Sequence, residues 1–94
     1  MKVRFTRPAQ ADLRRIHGYV SKENPTEASR LVARLIERAR TLIDSPYDGR
    51  ETDEPDARVI VVPDVRYFIF YACADDEVLI THIRHTSRRR PTSW

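Results

Sequence analysis

Residues Arg58 to Arg90 read RVIVVPDVRYFIFYACADDEVLITHIRHTSRRR, and the fold is decided by this stretch. Three runs rich in Val, Ile, Phe and Tyr are separated by Pro63-Asp64 and by Asp75-Asp76. Proline presets φ at an early turn position and aspartate bonds its own backbone, so two short connections fold the runs into an antiparallel meander. Neither turn is the Asn-Gly pair that pins a hairpin most firmly, so the register stays open. Tyr67 to Tyr71 is apolar at every position, as a central strand covered on both faces requires. Past the last run come His85, Arg88, Arg89 and Arg90, a titratable ring and three cations at the rim of a rigid sheet. That rim is the candidate site.

Upstream, Val3 and Phe5 alternate with Lys2 and Arg4, the period of a short strand with one buried face. Thr6 reads as an N-cap with Pro8 in the first helical turn. Ala9, Leu13, Ile16 and Val20 then fall on one stripe, with Asp12, Arg14, Arg15 and Ser21 facing elsewhere. Gly18 inside this helix marks either a close contact or simple tolerance. Asn24-Pro25-Thr26-Glu27 is a compact second helix start. Ala28, Leu31, Val32, Leu35, Ala39, Leu42 and Ile43 continue it for about five turns, until Ser45-Pro46. Two helices joined by so short a turn run antiparallel. From Pro46 to Asp56 there is no periodicity, and a loop of that length is often functional or mobile. The expected fold is therefore α+β: a strand, an antiparallel helical hairpin, then a three-stranded meander. Together they give a four-stranded antiparallel sheet with the two helices on one face. The place of the first strand in the sheet is not specified by its pattern.

A chain of 94 residues is one domain with one core, spanning 1–94. Fifteen Arg and two Lys against 14 acidic residues give a net charge of +3, which points equally to an anionic partner and to the base composition of the source genome. The lone Cys73 sits between two alanines and forms no internal disulfide. It is expected as a small buried hydrophobe, and the protein as cytoplasmic. No signal peptide and no membrane-spanning run are read in the sequence. His17 and His82 have no third ligand at metal spacing, so no metal or other cofactor is assigned.

Several pieces in order carry a resemblance: VRFT-x-x-A-x-x-DL-x-x-I at the start, the ENP helix start, S-P-Y-D-GR in the loop, YFIFY, and I-x-H-I-R-H-T-S-R at the end. Over nearly its whole length the chain resembles the ParE branch of the RelE/ParE toxin superfamily. The resemblance implies a helical hairpin on an antiparallel sheet and a cytosolic toxin encoded beside an antitoxin. It also implies one of two activities, because RelE-type members cut messenger RNA on the ribosome whereas ParE-type members inhibit DNA gyrase by binding it. The leading expectation is a gyrase inhibitor neutralised by a cognate antitoxin. The alternatives are a ribosome-dependent mRNA endonuclease, and a degenerate non-toxic member that only joins its antitoxin in promoter repression.

Cleavage through a 2′-hydroxyl needs a general base, an acid and cations on the phosphate. His85 matches a histidine of both branches, and an imidazole changes charge near neutral pH. Its more economical role is structural, with the ring bonding a carbonyl and closing the sheet corner. The RelE pattern places an arginine where this chain has Phe68, which weighs against a nuclease. A nuclease site would have to be assembled from Arg58, Arg66, His85 and Arg88, with Arg66 two positions back from Phe68 on the same strand face. For the binding role, the target surface is expected at Arg84, His85, Arg88, Arg89, Arg90 and Trp94. On the second helix Arg30, Arg34 and Arg38 repeat at four-residue steps, a like-charged face. With Leu35 they form the face expected to receive an acidic antitoxin segment.

Overall fold

Thr6 and Asn24 set the two helix starts. The computed structural model describes residues 1–87, and the elements run β1 (Lys2–Phe5), α1 (Arg7–Ser21), α2 (Pro25–Arg40), a 3-10 turn (Thr41–Ile43), β2 (Arg50–Glu51), β3 (Ala57–Val62), β4 (Tyr67–Ala74) and β5 (Glu77–His85). The Thr6 hydroxyl accepts the Ala9 N–H at 3.4 Å, and Asn24 Oδ1 accepts the Glu27 N–H at 3.1 Å. Each satisfies a donor that a helix N-terminus leaves open. Nothing lies within 4 Å of a Cβ built on Gly18, so the helix merely tolerates it. No helix among the described residues is long and apolar enough to cross a membrane.

The meander forms as expected, β3 antiparallel to β4 and β4 antiparallel to β5. The sheet nevertheless has five strands, in the order β1-β5-β4-β3-β2. It is mixed rather than wholly antiparallel, because β1 joins the outer edge of β5 in parallel, Lys2 opposite Glu77 through Phe5 opposite Ile80. Alternation along a strand records which face is buried and carries no information on partner or direction. The fifth strand is the two-residue β2, which pairs with Val59 and Arg58 of β3. Along β5 the register shifts: Phe70 faces His82 but Tyr71 faces Ile80, leaving Thr81 as an extra residue. This is a β-bulge, held by the Thr81 hydroxyl donating to Phe70 O at 3.1 Å. Its effect is a change of parity, so Val78 and Ile80 before it and Ile83 after it join one core.

That core lies between the sheet and the hairpin, with Ala9 and Ile16 of α1 and Leu35 and Ala39 of α2 against Ile60, Val62, Ile69, Tyr71, Ile80 and Ile83. The central β4 is buried on both faces over Tyr67, Phe68 and Ile69. One buried group comes from the polar side of the sequence pattern. Asp12, expected to face away from the apolar stripe, is 4% exposed. Its Oδ2 accepts the Ile83 backbone N–H at 2.9 Å and Arg84 Nη1 at 3.0 Å, and Arg15 closes on Oδ1. The carboxylate thereby fills the side of β5 beyond the last paired residue of β1.

The loop after α2 lacks periodicity but is tied down at several points. The Tyr71 hydroxyl donates to Pro46 O at 2.9 Å and accepts the Gly49 N–H at 2.8 Å. Burial pushes this phenol above its ordinary pKa, which keeps the donating proton in place. Cys73, half-buried rather than fully enclosed, points its thiol at the same Pro46 carbonyl, 3.4 Å away.

Two predictions follow from these contacts. Tyr71→Phe strands the Gly49 N–H and leaves the Pro46 carbonyl only the weak Cys73 thiol, and should cost about 1–3 kcal/mol. For a domain of this size each kcal/mol lowers Tm by about 4–8 °C, so calorimetry and amide exchange at Gly49 read the loss directly. Gly49→Ala should destabilise as well, since its Cβ would sit 2.6 Å from Tyr71 Oη and 2.9 Å from Val59 O, a backbone atom with little room to move. An unchanged Tm in both variants would mean that the loop is held by something else. The second prediction concerns acid. Burial raises the Asp12 pKa, but the Ile83 N–H, Arg15 and Arg84 outweigh it and hold the group below its ordinary value of 3.8. A depressed folded pKa gives stability that is fully present above 3.8 and is lost as pH falls through the lower folded value. Asp12→Asn should therefore lower stability at neutral pH by about 1–3 kcal/mol and flatten the acid limb below about pH 4, as read from urea midpoints against pH.

Candidate functional site

The end of the sheet where β4 begins and β5 finishes gathers the residues with chemistry. Tyr67 opens β4 opposite His85, the last residue of β5, and their rings meet edge to face with centroids 5.1 Å apart. The turn before Tyr67 closes with Arg66 at φ 63°, a left-handed conformation costly for a side chain with a Cβ. Two bonds enforce it, Arg66 N–H to Val62 O at 2.8 Å and Thr86 N–H to Arg66 O at 2.9 Å. Arg66 thus stands exposed in the turn, not on the strand face shared with Phe68.

His85 does close the sheet corner, though not through a carbonyl. Its Nδ1 receives the Ser87 backbone N–H at 3.0 Å and lies 2.7 Å from the Ser87 hydroxyl. A backbone N–H can only donate, so in the neutral ring Nδ1 is the acceptor and the proton is assigned to Nε2.

Beside it, α1 leans over the end of β5 and encloses a cleft of about 390 Å³. Its lining joins buried Ile16, Ile83 and Tyr67 to the less buried Arg15, Arg84 and His85. Asp12 lies beneath and holds both guanidinium groups by ion pairs. Of the target-binding residues expected from the sequence, Arg84 and His85 are brought together here. Arg88, Arg89, Arg90 and Trp94 lie outside the described residues.

Arg58 is not part of this cluster. It sits opposite Tyr71, four residues along β4 from Tyr67, or about 13 Å away along the strand. Its guanidinium donates to Gly49 O at 2.8 Å, pairs with Glu51 at 3.3 Å and stacks over the Tyr47 ring at 4.9 Å. It anchors the loop. The nuclease set of Arg58, Arg66 and His85 is therefore not assembled around one point.

On α2 the arginine stripe is engaged within the chain. Arg30 pairs with Glu27, Arg34 grips Asp64 of the β3–β4 turn through two nitrogens at 2.9 and 3.3 Å, and Arg38 reaches Asp48 at 3.1 Å. Leu35 is fully buried in the core and faces the sheet, so it is not a surface contact. Sequence reasoning missed Asp12 as the organiser of the cleft. The signal was its spacing, three after Ala9 and four before Ile16, which is core spacing occupied by an acid. It also passed over Tyr19, 75% exposed at the mouth of the cleft.

Comparison with known proteins agrees with this architecture. A family model described as the ParE toxin of type II toxin–antitoxin system, parDE, matches residues 3–90. The candidate toxin Y4kP of Sinorhizobium fredii is 30% identical over 90 residues, covering 96% of this chain and 93% of that protein. Among solved structures, the chromosomal ParDE system from P. aeruginosa superposes with a TM-score of 0.79 at 25% identity, over 90% of this chain and 95% of that one. The isolated RelE toxin of E. coli shares the fold, with a TM-score of 0.58 at 20% identity, over 94% of this chain and 86% of that one. With the family match running from β1 through the end of β5, the chain belongs to the ParE toxins of type II toxin–antitoxin systems.

Proposed function

We propose that this ParE-family toxin inhibits DNA gyrase by direct binding, without catalysis, and is neutralised by a cognate antitoxin. The observation that carries the non-catalytic part is the state of His85. A general base needs an open lone pair within hydrogen-bond reach of the proton it removes. In the neutral His85 ring the one lone pair is taken by the Ser87 N–H, which leaves Nε2–H, a donor. Phe68, at the position of the RelE arginine, is 4% exposed, and Arg58 is committed to the loop. A rim of donors and cations suits binding an anionic surface better than proton abstraction. The antitoxin partner is supported by the P. aeruginosa relative, whose structure is of a ParDE system.

The deciding experiment uses the purified chain in two assays: supercoiling by gyrase, and message integrity on translating ribosomes. Supercoiling should be blocked while messages stay intact. His85→Ala should keep inhibition within a few-fold, whereas removing a general base costs about 10²–10⁴-fold. A loss of that size in a folded variant, or cut messages with wild type, would establish the endonuclease reading instead. A chain that affects neither process would leave only the antitoxin-bound repressor.

The antitoxin contact is proposed on the outer face of α2. Arg30 is the clean probe, because its only ion pair among the described residues is with Glu27 three residues away and both side chains are well exposed. Arg30→Glu should leave Tm nearly unchanged but weaken the antitoxin complex about tenfold, a loss of about 1.4 kcal/mol. Saturating antitoxin, at about 1,000 times its Kd, should raise toxin stability by about 4 kcal/mol. Unaltered affinity in Arg30→Glu would reduce the arginine stripe to a set of internal ties.

A further inference from the structure

The cleft between α1 and the end of β5 sets two fixed guanidinium groups beside an apolar surface, a composition that the α2 face does not share. Arg15 of α1 and Arg84 of β5 both line it, and one buried carboxylate, Asp12, pairs with both. Arg84 is further fixed by contact with Ile83 O at 3.4 Å, and its second terminal nitrogen lies 3.5 Å from His82 Nδ1. Both guanidinium groups keep donors beyond those used on Asp12, since a guanidinium carries five. His85 adds an Nε2–H. Among the described residues lining the cleft no acid appears, so two guanidinium charges against Asp12 leave a single net positive charge. That balance matches a monoanion. A phosphate diester chain would bring repeated charges to a site that neutralises one.

The rest of the cleft is apolar. Ile16, Ile83 and Tyr67 line it from buried positions, and Tyr19 lies at the mouth, 75% exposed. An exposed tyrosine beside arginines is the composition enriched in protein–protein contacts. We infer that this cleft binds a peptide segment of a partner protein, seating one Asp or Glu carboxylate between Arg15 and Arg84 and a neighbouring apolar side chain against Tyr19. Asp12 is the positioning residue, because it sets both cations before the ligand arrives and removes the ordering cost from binding. The inference does not depend on whether gyrase is the target.

The probe is a blocked tripeptide, acetyl-Phe-Glu-Leu-amide, titrated into the isotope-labelled full chain by NMR. Its glutamine counterpart and inorganic phosphate serve as controls. The Glu peptide should produce saturable shifts at Tyr19, Arg84 and His85, and the Gln peptide should bind about tenfold more weakly, as expected for loss of a charge-assisted pair. Arg15→Gln and Tyr19→Ala, both at exposed positions, should each weaken the Glu peptide several-fold while leaving the spectrum of the sheet intact. Equal binding of the Gln peptide would overturn the inference. So would shifts confined to other surfaces, or no saturation up to about 10 mM, a concentration that still reports very weak contacts. Displacement of the peptide by equimolar phosphate would identify the cleft as a general phosphate site instead.

Discussion

One buried carboxylate gives the apolar contact between helix and sheet its polar link. β1 pairs with β5 only as far as Ile80, yet β5 continues to His85. Beyond the bulge, the side of β5 that β1 no longer covers exposes the Ile83 N–H, and a buried donor without a partner costs about 1–3 kcal/mol. Asp12 of α1 supplies the missing acceptor. A helix side chain thereby continues the work of a strand. The acid tolerates burial because Arg84, Arg15 and the Ile83 N–H share its charge, and only losing its cations together would leave it uncompensated. Since the contact is with one particular backbone amide, it also fixes the axial position of α1 on the sheet. Ile16, Arg15 and Tyr19 consequently face Tyr67, Arg84 and His85.

The parts of the fold that depend on periodicity were legible in the sequence. Both helix starts, the three meander strands and the turns at Pro63-Asp64 and Asp75-Asp76 lie where cap chemistry and apolar spacing put them. What depends on pairing was not legible. The parallel docking of β1 and the two-residue β2 follow from where neighbouring backbone is available, a tertiary fact with no local signature. The bulge at Thr81 was half visible: Val78, Ile80 and Ile83 break strict alternation, which is what one extra residue does to a strand. Asp12 shows the limit of sorting residues by polarity, because its helical spacing belongs to the core and its letter to the surface. Leu35 shows the reverse error, a core residue grouped with the surface arginines that flank it.

Much of the positive charge in the composition is spent inside the chain. Arg34 ties α2 to the β3–β4 turn, Arg38 ties it to the loop, Arg58 anchors the same loop to β3, and Arg4 joins β1 to Glu77 of β5. Exposed pairs of this kind each contribute about 0–1 kcal/mol, so their effect lies more in fixing geometry than in stability. An arginine-rich composition is thus a weak guide to an anionic partner. The informative charges are those fixed in place with donors to spare, and Arg15 and Arg84 qualify because Asp12 occupies only part of each fork.

The same strand end that builds the cleft also decides what His85 does. After His85 the chain turns at Thr86 and Ser87, with Thr86 N–H held by Arg66 O. That turn aims the Ser87 N–H at Nδ1, and the ring is kept upright by its edge-to-face contact with Tyr67. The backbone geometry therefore selects the tautomer, independently of any ligand. A histidine set in this way presents a directional Nε2–H donor at the rim. Any ligand that reaches this rim therefore meets a donor already oriented by the turn and by the Tyr67 ring.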